Sequence, residues 1–199
     1  SNSNPWDNLK FDLSGIEEVK RKFFGTLYNT YSFFALYANI DKFNYSENEI
    51  KISDRPEIDR WVLSELNSLI KNVDRFYSDY EPTKVARSIS EFTTEILSNW
   101  YVRLSRRRFW KGEYEFDKIS AYQTLHTCLI TISKLAAPVA PFFMDKLFLD
   151  LTKNISQIND ESVHLTTFPI SDESLIDSNL ERKMKYAQKI SSLTLSLRA

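Results

Sequence analysis

Glycine, cysteine and histidine are scarce in this chain of 199 residues, and their scarcity excludes several kinds of site. The three glycines, Gly15, Gly25 and Gly112, lie too far apart to build a phosphate-binding loop. Two histidines and one cysteine give no cluster with the spacing of a zinc site, and no serine stands in a nucleophile-elbow motif. The sequence therefore predicts no catalytic site, no metal and no cofactor in this chain.

Long apolar runs and a secretory leader pattern are also missing, so no membrane partner is expected. The single cysteine, Cys128, cannot form an internal disulfide, which favours a cytoplasmic protein. Cys128 and His126 both fall within apolar helical spacing, and both are predicted to be packed core residues. Residues 1–3 read Ser-Asn-Ser, which is typical of a cloning remnant.

Apolar residues recur at helical spacing through nearly the whole chain, which predicts an all-α fold. Pro56 and Pro82 suit the first positions of helices, and Gly112 suits the end of one. Short connections between long helices are typical of an antiparallel helical bundle, here with a further C-terminal helix. The predicted helices cover about residues 14–40, 56–76, 82–112, 120–137, 142–151 and 174–197.

Two polar stretches interrupt this pattern and predict a partly extended loop region. Residues 41–54 contain several turn formers and predict a loop with a short extended piece at 49–52. Residues 153–162 predict a polar connection, after which 163–168 predict a short extended return.

The segment from Trp100 to Lys111 combines five cations with four aromatic residues and contains no acidic residue. The net charge of the chain is −1, so the rest of the chain carries a net charge of −6. One basic and aromatic segment therefore sits on an acidic body, a pattern that indicates binding of a polyanion with rings that can stack.

The cations of this segment are predicted to share one helix face. At about 100° per residue, one sector about 100° wide contains Arg103, Arg106, Arg107 and Trp110. A different sector contains Leu97, Tyr101 and Leu104, which are predicted to continue the core stripe. Arg108 projects toward that apolar sector and is therefore the cation least suited to bind a partner.

The segment has two interpretations on its chemistry alone. Guanidinium groups bind phosphates in a bidentate manner and stack on bases, as indole does, which fits an RNA stem next to unstacked loop bases. Alternatively, the helix dipole favours cations near a helix C-terminus, and acidic residues could pair with them. The candidate partners are Glu91, Glu95 and the acidic segment 113–117.

Several stretches of the sequence resemble one known family in both content and order. They are residues 4–12 (NPWDNLKFD), 27–34 with 37–39, 55–64 (RPEIDRWVLS), 97–110 (LSNWYVRLSRRRFW), 136–142 (AAPVAPF), and 163–165 with 168–169. Together they are similar to the anticodon-binding region of isoleucyl-tRNA synthetases, the class I enzymes that join isoleucine to its tRNA. Asp59, Trp61 and the Ala-Pro-Phe element are shared with valyl and leucyl enzymes, whereas the motif of 99–110 resembles the isoleucyl branch.

The resemblance implies a division of the chain and a division of labour within a longer enzyme. Residues 4–13 would connect from a catalytic domain, 14–152 would form the anticodon-binding bundle, and 153–199 would lead by a loop and a helix into a further region. The ATP-binding signatures of class I synthetases, HIGH and KMSKS, do not occur in the chain. ATP and magnesium are therefore expected in the catalytic domain of the full-length ligase, and the chain alone is expected to be inactive.

The resemblance also implies the partners, which are an isoleucine-accepting tRNA and the catalytic domain of the same enzyme, with no DNA. Chemistry assigns the RNA-binding residues, because the family motif gives these positions no individual roles. An alternative is a helical interaction module whose basic face packs on the catalytic domain, or the same domain of a valyl- or leucyl-type enzyme. The predicted RNA-binding residues are Arg103, Arg106, Arg107, Trp110 and Lys111.

Overall fold

A computed structural model describes residues 13–45, 47–111, 113–153, 155 and 160–197. The predictions for residues 1–3, for the connector up to residue 12 and for Gly112 lie outside this part of the chain. The described residues form six helices and contain no strand, which confirms the all-α class. The helices are α1 (Leu13–Asp41), α2 (Glu57–Ser78), α3 (Pro82–Trp110), α4 (Phe116–Ala136), α5 (Pro141–Thr152) and α6 (Ser178–Ser196).

Helices α1 and α3 each contain a wider π-helical segment between two α-helical ones. In α1 the segment Lys20–Phe24 separates Leu13–Val19 from Gly25–Asp41. In α3 the segment Phe92–Val102 separates Pro82–Glu91 from Arg103–Trp110. The junction residues keep right-handed helical backbone angles, so each helix is continuous.

The first four helices form the predicted antiparallel bundle. Asp59 at the start of α2 contacts Arg108 at the end of α3, and Arg108 in turn contacts Asp117 at the start of α4. Asp41 at the end of α1 binds Lys118 at the start of α4. The ends of α1 and α3 and the starts of α2 and α4 therefore meet, and we call this part of the molecule the basic end.

The core runs between these helices and contains the two residues predicted to be packed within it. Cys128 is fully buried, and His126 is buried with its Nε2 atom 3.1 Å from the carbonyl oxygen of Leu151. Burial raises the pKa of the Cys128 thiol, so it stays protonated. No described helix is long and apolar enough to cross a membrane.

Neither predicted extended piece forms a strand, and each overlaps a tight helical turn. Ile52–Asp54 form a 3₁₀ turn that takes in only the last residue of the piece at 49–52, and Val163–Leu165 form one over the first half of the piece at 163–168. A strand needs a neighbouring edge, whereas here side chains of the bundle accept the backbone N–H groups. Gln123 accepts from the backbone of Ile50, and Asp145 accepts from that of Val163.

The C-terminal helix α6 is only partly docked. It begins at Ser178, later than predicted, since a 3₁₀ turn at Glu173–Leu175 precedes it. Leu180 and Met184 pack against the core, but Ile190 is 64% exposed. The predicted apolar side of this helix therefore covers the bundle only over its first half.

Candidate nucleic-acid interface

The last segment of α3, Arg103–Trp110, places the predicted RNA-binding residues on one exposed surface. Trp110 has 52% of its surface exposed, and Lys111 follows in an extended conformation after the helix ends. We call this surface the basic face. Its members are Arg103, Arg106, Arg107, Trp110 and Lys111, and all five are exposed.

The four cations of the basic face have no side-chain hydrogen bond or ion pair with any described residue. None of the expected acidic partners, which are Glu91, Glu95 and the segment 113–117, forms an ion pair with them. Glu95 accepts a hydrogen bond from Asn99, and Asp117 binds the inward arginine, Arg108. Pairing within the described structure therefore does not account for the cations of this face.

The prediction for Leu104 is wrong, since this residue is 52% exposed and does not continue the core stripe. The wheel for Leu97 to Leu104 assumed α-helical spacing, but residues up to Val102 lie in the π-helical segment. Its i→i+5 bonds place more residues in each turn, which shifts every later residue around the axis. Ser105 and Phe109 occupy the buried side instead.

Phe109 anchors the inner side of the segment to two other helices. Its ring lies 5.1 Å from that of Phe33 in α1 and 5.0 Å from that of Tyr122 in α4, both in edge-to-face geometry. Such pairs add about 0.5–1.5 kcal/mol beyond the burial of their surface. The basic face therefore lies on a helix whose opposite side is packed.

Arg108 points inward, as its projection predicted, and contacts two acidic residues. Its Nη1 and Nη2 atoms donate to Asp59 Oδ1 and Oδ2 at 2.6 and 2.8 Å. Its Nε atom donates to Asp117 Oδ2 at 3.0 Å, and Nη2 also donates to the Asp117 carbonyl oxygen at 2.8 Å. This geometry is a two-pronged arginine–carboxylate pair, the strongest common form of ion pair.

Asp59 is the centre of a buried polar network that the sequence interpretation missed. Besides Arg108, its carboxylate accepts from Tyr101 Oη at 2.8 Å and from Ser120 Oγ at 2.6 Å. Burial raises the pKa of Tyr101 well above its ordinary value, and the charge of Asp59 raises it further. One carboxylate thus joins α2, α3 and α4.

A sequence signal for this network did exist. Asp59 precedes Val62 by three residues and Leu66 by seven, which places it on the buried stripe of α2. A buried carboxylate must be paired and hydrogen-bonded, so an acidic residue in a core stripe indicates a partner cation. The spacing could not show which cation pairs with Asp59.

A second buried arginine holds the loop that leads into α2. Arg55 donates to Thr124 Oγ1 at 2.9 Å and to the carbonyl oxygen of Ile50 at 3.1 Å. Nearby, Asp41 accepts from Lys118 and from Tyr122 Oη. Buried ionic contacts are therefore concentrated at the basic end, and no group of three metal-binding side chains occurs among the described residues.

Comparison with known proteins gives one consistent result. Residues 59–199 match the family described as the anticodon-binding domain of tRNA ligase. Over its whole length the chain is 60% identical to isoleucine–tRNA ligase of Bacteroides thetaiotaomicron and 62% identical to that of Porphyromonas gingivalis, spanning 17% of each. It is 48% identical to isoleucine–tRNA ligase of Dehalococcoides mccartyi over 98% of the chain and 19% of the relative. The chain thus spans less than a fifth of the length of these curated relatives.

Proposed function

Because the chain belongs to the anticodon-binding domain family of tRNA ligases, we propose that its basic face binds the anticodon stem-loop of a tRNA. The observation that carries this proposal is the exposure of four cations that lack a partner among the described residues. Phosphate contacts supply most of the affinity in such complexes, and each unpaired cation is available to make one. Arg103, Arg106 and Arg107 offer planar groups that match phosphate geometry.

Trp110 adds the aromatic part of the proposed site. Unpaired RNA bases bind by stacking on aromatic rings, at about 1–3 kcal/mol per base. The half-exposed ring stands among the cations, so one nucleotide could present its phosphate to an arginine and its base to the indole. We assign Trp110 to stacking and Lys111, at the end of the helix, to a phosphate.

The relatives support the identity of the tRNA. They are isoleucine–tRNA ligases, and the resemblance of residues 97–110 favours the same branch over valyl and leucyl enzymes. We therefore assign an isoleucine-accepting tRNA as the partner and the catalytic domain of a full-length ligase as a second partner. Binding of ATP and magnesium and the ligation itself belong to that catalytic domain in this proposal.

A salt titration tests the RNA-binding face. Isoleucine tRNA is titrated into the chain and into the double variant Arg103→Glu/Arg107→Glu at several salt concentrations. Each lost phosphate contact is expected to reduce the slope of log affinity against log salt by about 0.7–0.9. The double variant should therefore bind more weakly, and the negative slope of its log affinity against log salt should be less steep by about 1.5.

The matched control makes the same change of charge elsewhere. Lys20→Glu/Arg21→Glu alters two exposed cations on α1, away from the basic end, and should retain most of the affinity. Equal losses in both double variants would mean that only the total charge matters. If Arg103→Glu/Arg107→Glu binds as the unmodified chain does, the face does not contact RNA and packing on another domain becomes the better interpretation.

A further inference from the structure

The last segment of α3, which carries the basic face, has one large buried side chain, that of Phe109. Within Arg103–Trp110 only Ser105 and Phe109 are buried, and the segment follows a π-helical stretch rather than a regular helix. Its last backbone bond, from the N–H of Lys111 to the carbonyl oxygen of Arg107, is 2.9 Å long and ends the helix. Helix ends with little burial fray readily.

Like charges add to this tendency. Arg103 lies three residues from Arg106 and four from Arg107, and like-charged pairs at these spacings destabilise a helix. The face that would bind RNA therefore opposes the folding of the turns that present it. Phe109 packs this segment against α1 and α4, but apolar contacts tolerate small rotations, so a directional contact is needed to fix the face when no RNA is bound.

We propose that Asp59 and Arg108 form a positioning pair that fixes the basic face for RNA binding, an inference that rests on the proposed function. Asp59 is fully buried and cannot follow a moving helix end, since Tyr101 and Ser120 also donate to it. Its two-pronged contact with Arg108 therefore fixes both the position and the rotation of the last two turns. The neighbouring arginines are turned outward as a consequence.

Arg108 positions these residues and does not itself contact RNA. Its Nε, Nη1 and Nη2 atoms all donate to Asp59 or Asp117, and its side chain is only 14% exposed. Four of the five N–H groups of this guanidinium are thereby occupied, which leaves only one for a phosphate. Within this one helical segment, Arg108 holds the helix in position through Asp59, and the exposed cations bind RNA.

Arg108→Lys is the decisive variant, because it keeps the charge but cannot bind both carboxylate oxygens in the same way. In the free protein, amide hydrogen exchange at residues 107–111 is expected to lose nearly all its protection, because these turns are then ordered only about a tenth of the time. The tRNA affinity falls in proportion to that fraction, about tenfold. A residue that contacted phosphate directly would change affinity without changing exchange in the free protein.

Tyr77→Phe serves as the control for a general loss of stability. It removes a hydrogen bond to the carbonyl oxygen of Leu135 at the other end of the bundle, and should change neither exchange at 107–111 nor tRNA affinity. Asp117→Asn is the second variant, because Asp117 is exposed and its loss should not prevent folding. It should change exchange and affinity in the same direction as Arg108→Lys, by a smaller factor.

The outcomes separate this inference from the proposed function. If Arg108→Lys and Asp117→Asn leave exchange at 107–111 unchanged, the positioning pair is wrong whatever happens to RNA binding. If exchange rises but affinity is unchanged while Arg103→Glu/Arg107→Glu binds weakly, the pair is structural and does not position the face. If Arg103→Glu/Arg107→Glu binds normally, the proposed function fails, and with it the RNA role of the pair.

Discussion

Acidification should destabilise the bundle through His126, whose imidazole is buried in the core. Its Nε2 atom donates to the carbonyl oxygen of Leu151. The ring centroids of Phe34 and Tyr45 lie 5.7 and 5.0 Å from the centroid of the imidazole ring. A carbonyl oxygen only accepts, so the proton of the neutral ring sits on Nε2. Burial lowers the pKa of His126 from 6.5 to about 4, although the bond to Leu151 raises it slightly.

The sign of the effect follows from the pH at which the folded and the unfolded chain each protonate His126. Between pH 6.5 and about pH 4 the unfolded chain protonates this histidine while the folded chain does not. The free energy of unfolding therefore falls as the pH falls through this window. Below about pH 4, His126 causes no further change. A shift of this size corresponds to about 3 kcal/mol in full, of which about 2 kcal/mol is lost between pH 7 and pH 4.5.

Urea unfolding at pH 7 and pH 4.5 measures this loss, with His126→Gln as the reference. The glutamine amide can also donate to Leu151 but does not titrate, so other groups contribute equally to both proteins. The unmodified chain should lose about 2 kcal/mol more than the variant on acidification. Equal losses would show that the folded core accommodates the charged ring and would refute the argument.

Two further predictions concern buried groups of the bundle. Asp59→Ala should lower the free energy of unfolding by about 3–5 kcal/mol, because it leaves Arg108 without its buried partner, and a loss below about 1 kcal/mol in urea unfolding would contradict this. Cys128 is fully buried and burial raises the pKa of its thiol, so a thiol-reactive chromophore should label it only after unfolding. Rapid labelling of the folded chain would show that the core opens around this residue.

The helices and their order could be predicted from the sequence because each repeats one local rule over many residues. In α2 the apolar positions Val62, Leu66, Leu69 and Val73 all became core. Pro56 and Pro82 also predicted the starts of α2 and α3, because proline suits the first position of a helix. Pro82 is the first residue of α3, and Pro56 precedes α2 by one residue. Periodicity summed over five or six turns outweighs the errors at single positions.

The rotation of the basic segment could be predicted only in part. Arg103, Arg106, Arg107 and Trp110 share a face because all lie in the regular segment after the π-helical stretch. Leu104 was expected in the core because α-helical spacing was continued through that stretch from Leu97. No residue pattern in the sequence marks where i→i+5 bonding begins. The two extended pieces form no strand for another reason, since the side chains of Gln123 and Asp145, which accept their backbone N–H groups in place of a strand partner, are distant in sequence.

The location of the ionic contacts explains why one arginine of the segment behaves differently from its neighbours. At the other end of the bundle, rings such as Phe24 and Phe143 pack together, and apolar contacts of this kind tolerate small rotations. At the basic end the directional pair of Asp59 with Arg108 holds α3 in one rotation. Each of the four arginines of the segment could have turned inward on energetic grounds alone, and the position of the buried Asp59 carboxylate along the bundle selects Arg108. The remaining cations then have no partner among the described residues, and this lack of partners is what makes the surface suitable for phosphates.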